Sequence, residues 1–257
     1  MKVSLPKINS DRIKALTQKL MQDKHEKILE DLVDLERDNP EDMRVKQKIA
    51  ELLYKQTNIK ASIDKFKEIA AYYEKNDFIL KAIRACQQIL KIQPYLVEYN
   101  IKLGSLHLKL GMANEAANQY RITVNHFAHF GDVESTLKYS QILVKVDPST
   151  DNKVKLAEIY QNSNMTNEAV SIYNELAQEA REKKQYDKLL HYYEMLLPHT
   201  PNSSTLLRDV CILSLRKQRP DHVLRLLDQY QAMDNRAFED LVKKARLMRE
   251  ALRRQKK

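Results

Sequence analysis

The sequence predicts an all-α chain in which similar helical repeats stack as a solenoid. Two observations carry that expectation. Pro40, Pro94, Pro148 and Pro201 recur at separations of 54, 54 and 53 residues, each after a helix-like segment. Between the prolines, apolar residues return at spacings of three and four, and nothing alternates with period two for long. Self-similarity at this scale marks a stacked repeat, because one unit can bury its apolar face only against its neighbours.

The elements follow in order. Residues 1–39 hold one or two N-terminal capping helices. The first repeat, 40–93, divides into helix A at about 41–55, helix B at about 58–75 and helix C at about 77–92, from spacings such as Ile49, Leu52, Leu53 and Ile63, Phe66, Ile69. Proline after helix C fits a stop, since its ring cannot continue the preceding turn and sits comfortably at the start of the next helix. The repeats 94–147 and 148–200 read the same way. Residues 201–257 form a degenerate fourth repeat with a basic C-terminal capping helix, and about thirteen helices are expected in one continuous domain.

The residues carry a resemblance. Two overlapping copies of the tetratricopeptide pattern W-x2-L-G-x2-Y, A-x3-F, P can be laid on each repeat. In the second repeat Leu103, Gly104, His107, Ala116 and Tyr120 match one copy, and Tyr120, Phe127, Gly131 and Pro148 match the next. Phe66 and Tyr173 share the place of Tyr120; Ile49 and Ala50, and then Leu156, Ala157, Tyr160 and Ala169, repeat the first copy. The 54-residue period is thus one 34-residue motif plus 20 residues, helix B counting in both. The chain departs from the pattern in having no tryptophan and in placing Ser62 and Thr136 where a small alanine is usual.

Length and composition agree with this architecture. The 257 residues include only three glycines, are 43% hydrophobic and 31% charged, and show no linker rich in Gly, Pro or Ser. No apolar run approaches the ~20 residues of a membrane helix. The start, MKVSLPKINSDRIK, lacks the apolar centre of a secretion signal, so a cytoplasmic location is expected. Cys86 and Cys211 stand alone in different repeats and read as buried free thiols.

Charge is concentrated at the ends. Residues 241–257 hold eight Lys or Arg and one Glu, a sum of +7, and residues 1–30 hold seven Lys or Arg and four acids, a sum of +3. The total of +9 leaves −1 for the other 210 residues. That distribution does not suit a nucleic-acid groove, which needs cations along one continuous face.

Signals for chemistry are weak. His126 and His129 lie three apart without the His-Glu spacing of a zinc protease, and read as surface or packing histidines. No phosphate loop, nucleophile elbow or catalytic carboxylate pair is present, so no catalytic, cofactor or metal residue is expected. Tyr72, Tyr73, Tyr192 and Tyr193 read as core and seam aromatics.

One polar position does repeat. Lys48, Lys102, Lys155 and Arg208 fall at the same place in helix A of the four repeats, 54, 53 and 53 residues apart. In tetratricopeptide proteins this place often faces the concave groove, where chaperone-tail binders set Lys beside Asn to hold a terminal carboxylate. Here no Asn accompanies the basic residue. The plain alternative is a solvated position, with Lys48 near Glu51 and Lys155 near Glu158 as three-apart pairs. Three helices per repeat is an odd number, so if every connection reverses direction these four residues divide between two layers.

At the C-terminus Leu241, Ala245, Met248 and Leu252 draw an apolar stripe suited to capping, while Arg246, Arg249 and Arg253 belong to the basic remainder of the helix. The resemblance implies a non-catalytic scaffold that binds protein partners. An acidic peptide or helix would suit the seven basic candidates Lys48, Lys102, Lys155, Arg208, Arg246, Arg249 and Arg253, and a nucleic-acid adaptor using the basic ends is the alternative.

Overall fold

The computed structural model describes the backbone of residues 10–255 and the side chains of 24–255. Among the described residues there are thirteen α-helices, two single-turn 3₁₀ helices and no strand. A first compact unit, ending at Gly131, holds α1 (Ser10–Asp38), α2 (Met43–Lys55), α3 (Ile59–Lys75), α4 (Ile79–Ile92), α5 (Val97–Lys109) and α6 (Ala113–His129). A second, from Asp132, holds α7 (Val133–Val146), α8 (Thr150–Asn162), α9 (Thr166–Glu182), α10 (Tyr186–Leu196), α11 (Ser204–Arg216), α12 (Pro220–Gln229) and α13 (Glu239–Gln255), with 3₁₀ turns at Leu197–His199 and Arg236–Phe238. Among the described residues one helix precedes Pro40 and three belong to each repeat, and the first repeat's helices begin within two residues of their expected starts. Among the described residues no helix is long and apolar enough to cross a membrane.

Two kinds of turn recur along the chain. Thr57, Asp77, Gly111, Asn164, Lys184 and Gln218 all have φ between 55° and 70°. The residue after each donates its N–H to the carbonyl five places earlier, as Phe78 does to Tyr73 at 2.8 Å and Met112 to His107 at 2.9 Å. This closes the last helical turn with a left-handed residue. The turns that contain Pro40, Pro94, Pro148 and Pro201 have no such residue. Each repeat is therefore three helices joined by two left-handed turns and delimited by proline turns. Helix starts are set locally as well: Asp42, Asn58, Asp132 and Ser203 each accept a backbone N–H of the first turn of their helix.

In the first unit, adjacent helices come close because small residues face large ones. Ala50 and Ser62 are fully buried, and the Ser62 hydroxyl donates to the Ala50 carbonyl at 2.7 Å. The hydroxyl at this alanine position is thereby satisfied. Gly104 lies against the ring of Tyr120 so closely that a Cβ there would be 2.8 Å from it. The core gathers Phe66, Ile69, Ala82, Cys86, Ile89 and Leu103, all buried. Two ion pairs join alternate helices: Lys65 of α3 to Glu36 of α1 at 2.8 Å, and Lys102 of α5 to Glu74 of α3 at 2.7 Å. Hence α1, α3 and α5 line up in one layer, with α2 and α4 in the other.

The second unit follows the same plan with two cores. One contains Ala157, Ala169, Leu176, Leu190 and Leu196 around Tyr173, which is wholly buried and donates its hydroxyl to Gln161 Oε1 at 3.2 Å. Gln161 in turn donates to His199 Nε2 at 3.0 Å, so the polar atoms at this seam pair with each other. The other core packs Cys211, Val223, Leu227, Phe238, Leu241 and Ala245, which joins α11, α12 and α13. Alternate helices again share a layer, through Arg181 and Asp209 between α9 and α11 at 3.3 Å, Arg208 and Asp240 between α11 and α13 at 2.7 Å, and His222 and Glu194 between α12 and α10 at 3.0 Å. Cys86 and Cys211 are free and inaccessible, and burial pushes their thiols up to about 11 and about 12.

Two sets of variants test this packing. Phe66→Ala, Tyr120→Ala and Tyr173→Ala should each cost about 3 to 5 kcal/mol in chemical denaturation, since each empties a filled site between adjacent helices. A loss below about 1 kcal/mol at all three would contradict the packing described. At the turns, Thr57→Gly should stabilise by about 1 kcal/mol, because a β-branched residue holds the left-handed conformation at a steric cost that glycine avoids, and Gly111→Ala should destabilise by a similar amount. Equal melting temperatures for wild type, Thr57→Gly and Gly111→Ala would refute the strain assigned to these turns.

Candidate functional site

Alternation of layers divides the repeated basic position. In the first unit Lys102 lies on α5, in the layer of α1 and α3, whereas Lys48 lies on α2 in the other layer. In the second unit Arg208 lies on α11, in the layer of α9 and α13, whereas α8, which carries Lys155, meets α10 through Gln161 and the turn holding His199. No single four-residue ladder forms, since each compact unit already separates its own pair. Their environments differ accordingly. Lys102 is engaged with Glu74, and the Arg208 fork takes both oxygens of Asp240 at 3.0 and 2.7 Å while also donating to the Ala237 carbonyl. Lys48 is exposed and 3.3 Å from Glu51. Lys155 is exposed, and among the described residues no ion pair forms at it, including the one expected with Glu158.

The first unit also contains a cleft of about 350 Å³ that the sequence did not announce. Arg44 and Gln47 on α2 form one wall, Lys81, Arg84, Gln87 and Gln88 on α4 form the other, and Phe66, Ile69 and Tyr73 of α3 make the floor. Arg44 is fixed by Asp42, whose carboxylate accepts at 3.0 and 2.8 Å from the guanidinium and at 2.9 Å from the backbone of Arg44; these bonds hold the Asp42 carboxyl down at about 2. The Lys81 ammonium lies 5.0 Å from the Phe78 ring centre and 5.3 Å from that of Tyr73, within cation–π range. Burial raises the Tyr73 phenol above its ordinary value. The signal for this cleft was present as i, i+3 and i, i+4 polar spacings on two helices, but nothing in a linear sequence shows that α2 and α4 flank α3 with those faces turned together.

In the second unit α13 buries Leu241, Val242 and Ala245 and half-buries Met248 and Leu252, so the expected apolar stripe is the face that packs. Arg246 and Arg253 are exposed. Arg249 is half-buried, 3.8 Å from Asp221, and its Nε is sequestered without an acceptor. Two open clefts, of about 610 and 560 Å³, lie between α12 and α13 and share Asp221, Arg225 and Arg249 in their linings.

The histidines pack on aromatics. The rings of His126 and His129 lie 4.8 and 5.2 Å from that of Phe130. Among the described residues no group of three His, Cys, Asp or Glu could hold a metal ion. The pair Tyr72 and Tyr73 meets edge to face at 5.8 Å, as packing aromatics do.

The geometry now identifies the architecture. Antiparallel helix pairs, a small residue under the shared aromatic of helix B, and left-handed turns at the 34- and 20-residue spacings of the motif occur together. The fold is that of tetratricopeptide repeats. No family model and no curated protein matches the chain. Among solved structures it is similar to MamA, at 18% identity over 72% of this chain and 94% of that one with a TM-score of 0.23. It is similar to the P58(IPK) TPR domain at 14% identity, over 90% of this chain and 86% of that one, with a TM-score of 0.24. The Rap conjugation gene regulator of plasmid pLS20, in complex with the Phr* peptide, matches at 14% identity over 93% and 72% with a TM-score of 0.34. At such scores none of the three bears on what this tetratricopeptide-like chain does.

The four basic positions should respond unequally to substitution. Lys155→Gln should change stability by less than about 0.5 kcal/mol, as an exposed position without a partner does. Lys102→Glu sets a like charge against Glu74 and should cost about 0.5 to 1 kcal/mol, recoverable by Glu74→Lys in the same chain. Equal melting temperatures for Lys102→Glu and Lys155→Gln would show that the pair between α3 and α5 contributes nothing.

Proposed function

We propose that the chain is a non-catalytic interaction scaffold that binds partner proteins on its helical surface and assembles them into a complex. The observation that supports this most is the cleft between α2 and α4. Its walls offer amides and cations, its floor is apolar and aromatic, and it is open to solvent along the helices. Amide side chains can pair with the main chain of an extended segment, cations with its carboxylates, and an apolar floor with one anchoring side chain. Helices already packed on both sides would lose little freedom on binding, which favours affinity. A cytoplasmic site of action belongs to this proposal, as buried free thiols at Cys86 and Cys211 suit a reducing compartment.

A pull-down in moderate salt, repeated with nuclease, tests the reading. Partner proteins should survive nuclease treatment; loss of all binding would instead favour a nucleic-acid adaptor. Changing Gln47, Arg84 and Gln88, all exposed, together to alanine should leave helicity and melting unchanged while weakening partner capture at least about tenfold. Undiminished capture by that variant would remove the cleft from the proposal.

A further inference from the structure

The two clefts between α12 and α13 concentrate positive charge that the described residues neutralise only in part. Arg219, Arg225, Arg246, Arg249 and Arg253 line them against only Asp221 and Asp228, a surplus of three positive charges. Arg219, Arg225, Arg246 and Arg253 form no ion pair among the described residues. Arg249 has only a distant partner, with Asp221 at 3.8 Å against the 2.7 to 2.9 Å of a tight charge-assisted bond. Beneath these guanidinium groups lie Leu224, Met233 and Leu252, all half-buried. The surface is a short groove with an apolar floor and arginine rims.

We infer that this groove docks an acidic amphipathic helix of a partner protein. The inference rests on the scaffold reading and names the chemistry of one partner. Arg246, Arg249 and Arg253 follow one another at three and four residues along α13, so they span about 10 Å, roughly two helical turns. A helix with carboxylates at the same spacing presents its charges in register, and each planar guanidinium can take a carboxylate through two parallel N–H groups. Its apolar stripe then covers Leu224, Met233 and Leu252, in the manner of a helix laid in a groove. Other anionic ligands fit less well. The one ring that lines either cleft is His222, whose Nε2 faces Glu194 at 3.0 Å, so successive bases would lack a stacking platform, and the cations form a patch rather than a track for successive phosphates. A flat anionic bilayer could reach the rims, but it would not follow the recessed floor.

Asp221 acts inside the groove as a weak internal substitute for the partner's carboxylate. It lines both clefts and faces Arg249, which also lines both. Removing that charge should therefore improve docking.

Titration of the intact chain with a fluorescent amphipathic peptide of about 18 residues, bearing Glu on one face and Leu on the next, tests the inference by anisotropy. A peptide of the same composition with the faces scrambled, a single-stranded oligonucleotide and vesicles containing phosphatidylserine serve as the other arms. The amphipathic peptide should bind at least about tenfold more tightly than the scrambled one, Arg246, Arg249 and Arg253 changed together to Gln should weaken it at least about tenfold, and Asp221→Asn should tighten it about threefold. The triple variant should keep the wild-type melting curve, and Asp221→Asn supplies a gain that misfolding could not mimic. Equal binding of scrambled and amphipathic peptides, or stronger binding of the oligonucleotide or vesicles, would overturn the inference. So would self-association of the chain that the triple variant abolishes, which would assign the groove to a second copy. Failure here is separable from failure of the scaffold reading, which would show as loss of every protein partner from the nuclease-treated pull-down.

Discussion

The close approach of neighbouring helices governs the rest of this structure. A Cβ on residue 104 would stand 2.8 Å from the Tyr120 ring, and the Ser62 hydroxyl reaches the Ala50 carbonyl at 2.7 Å, so side chains larger than those present would force the pairs α5 with α6 and α2 with α3 apart. At that spacing an aromatic on helix B fills the space a small residue on helix A leaves, and both are removed from water. Burial of this kind contributes about 1.5 to 3 kcal/mol for each large side chain. A single helix pair has only one neighbour on which to spend its second apolar face, which is why the motif is repeated rather than enlarged.

An odd number of helices per repeat then has a consequence for chemistry. Within each compact unit the equivalent positions of its two repeats land in opposite layers, and the layer decides what the side chain can do. Lys102 and Arg208 sit beside an alternate helix of their own layer and become clamps, to Glu74 and to Asp240. Lys48 and Lys155, at the same motif position, stay exposed. Sequence equivalence thus corresponds here to two physical roles, one holding the helices in register and one facing solvent.

Much of the fold was legible because it is written in local signals. The proline spacing, the three- and four-residue apolar periods and the shared aromatic at Phe66, Tyr120 and Tyr173 are short-range features, and each marks a turn or a buried face directly. The left-handed turns were harder to read. Glycine marks Gly111, but Thr57, Lys184 and Gln218 hold the same conformation with ordinary side chains, so scarcity of glycine hid a regular series. The surfaces were least legible. Arg44 and Arg84 lie on separate helices and meet across α3 only once the pairs have packed, and Arg219 and Arg225 join the α13 arginines through the turn between α12 and α13. Sequence patterns rank residues along one helix; they do not say which two helices turn their polar faces to the same space.

Charge at the C-terminal end illustrates how one helix can serve packing and recognition together. The buried face of α13, with Leu241, Val242 and Ala245, fixes its position on α11 and α12, and the Arg208 fork on Asp240 restrains its first turn. Its other face carries arginines that the fold itself leaves largely unpaired. Because the backbone beneath them is already held, those arginines would lose less freedom on meeting an anion than the same residues on a free basic tail, and the difference favours binding. The apolar stripe and the basic face are thus parts of one arrangement, in which packing against α11 and α12 keeps the guanidinium groups where an acidic surface can meet them.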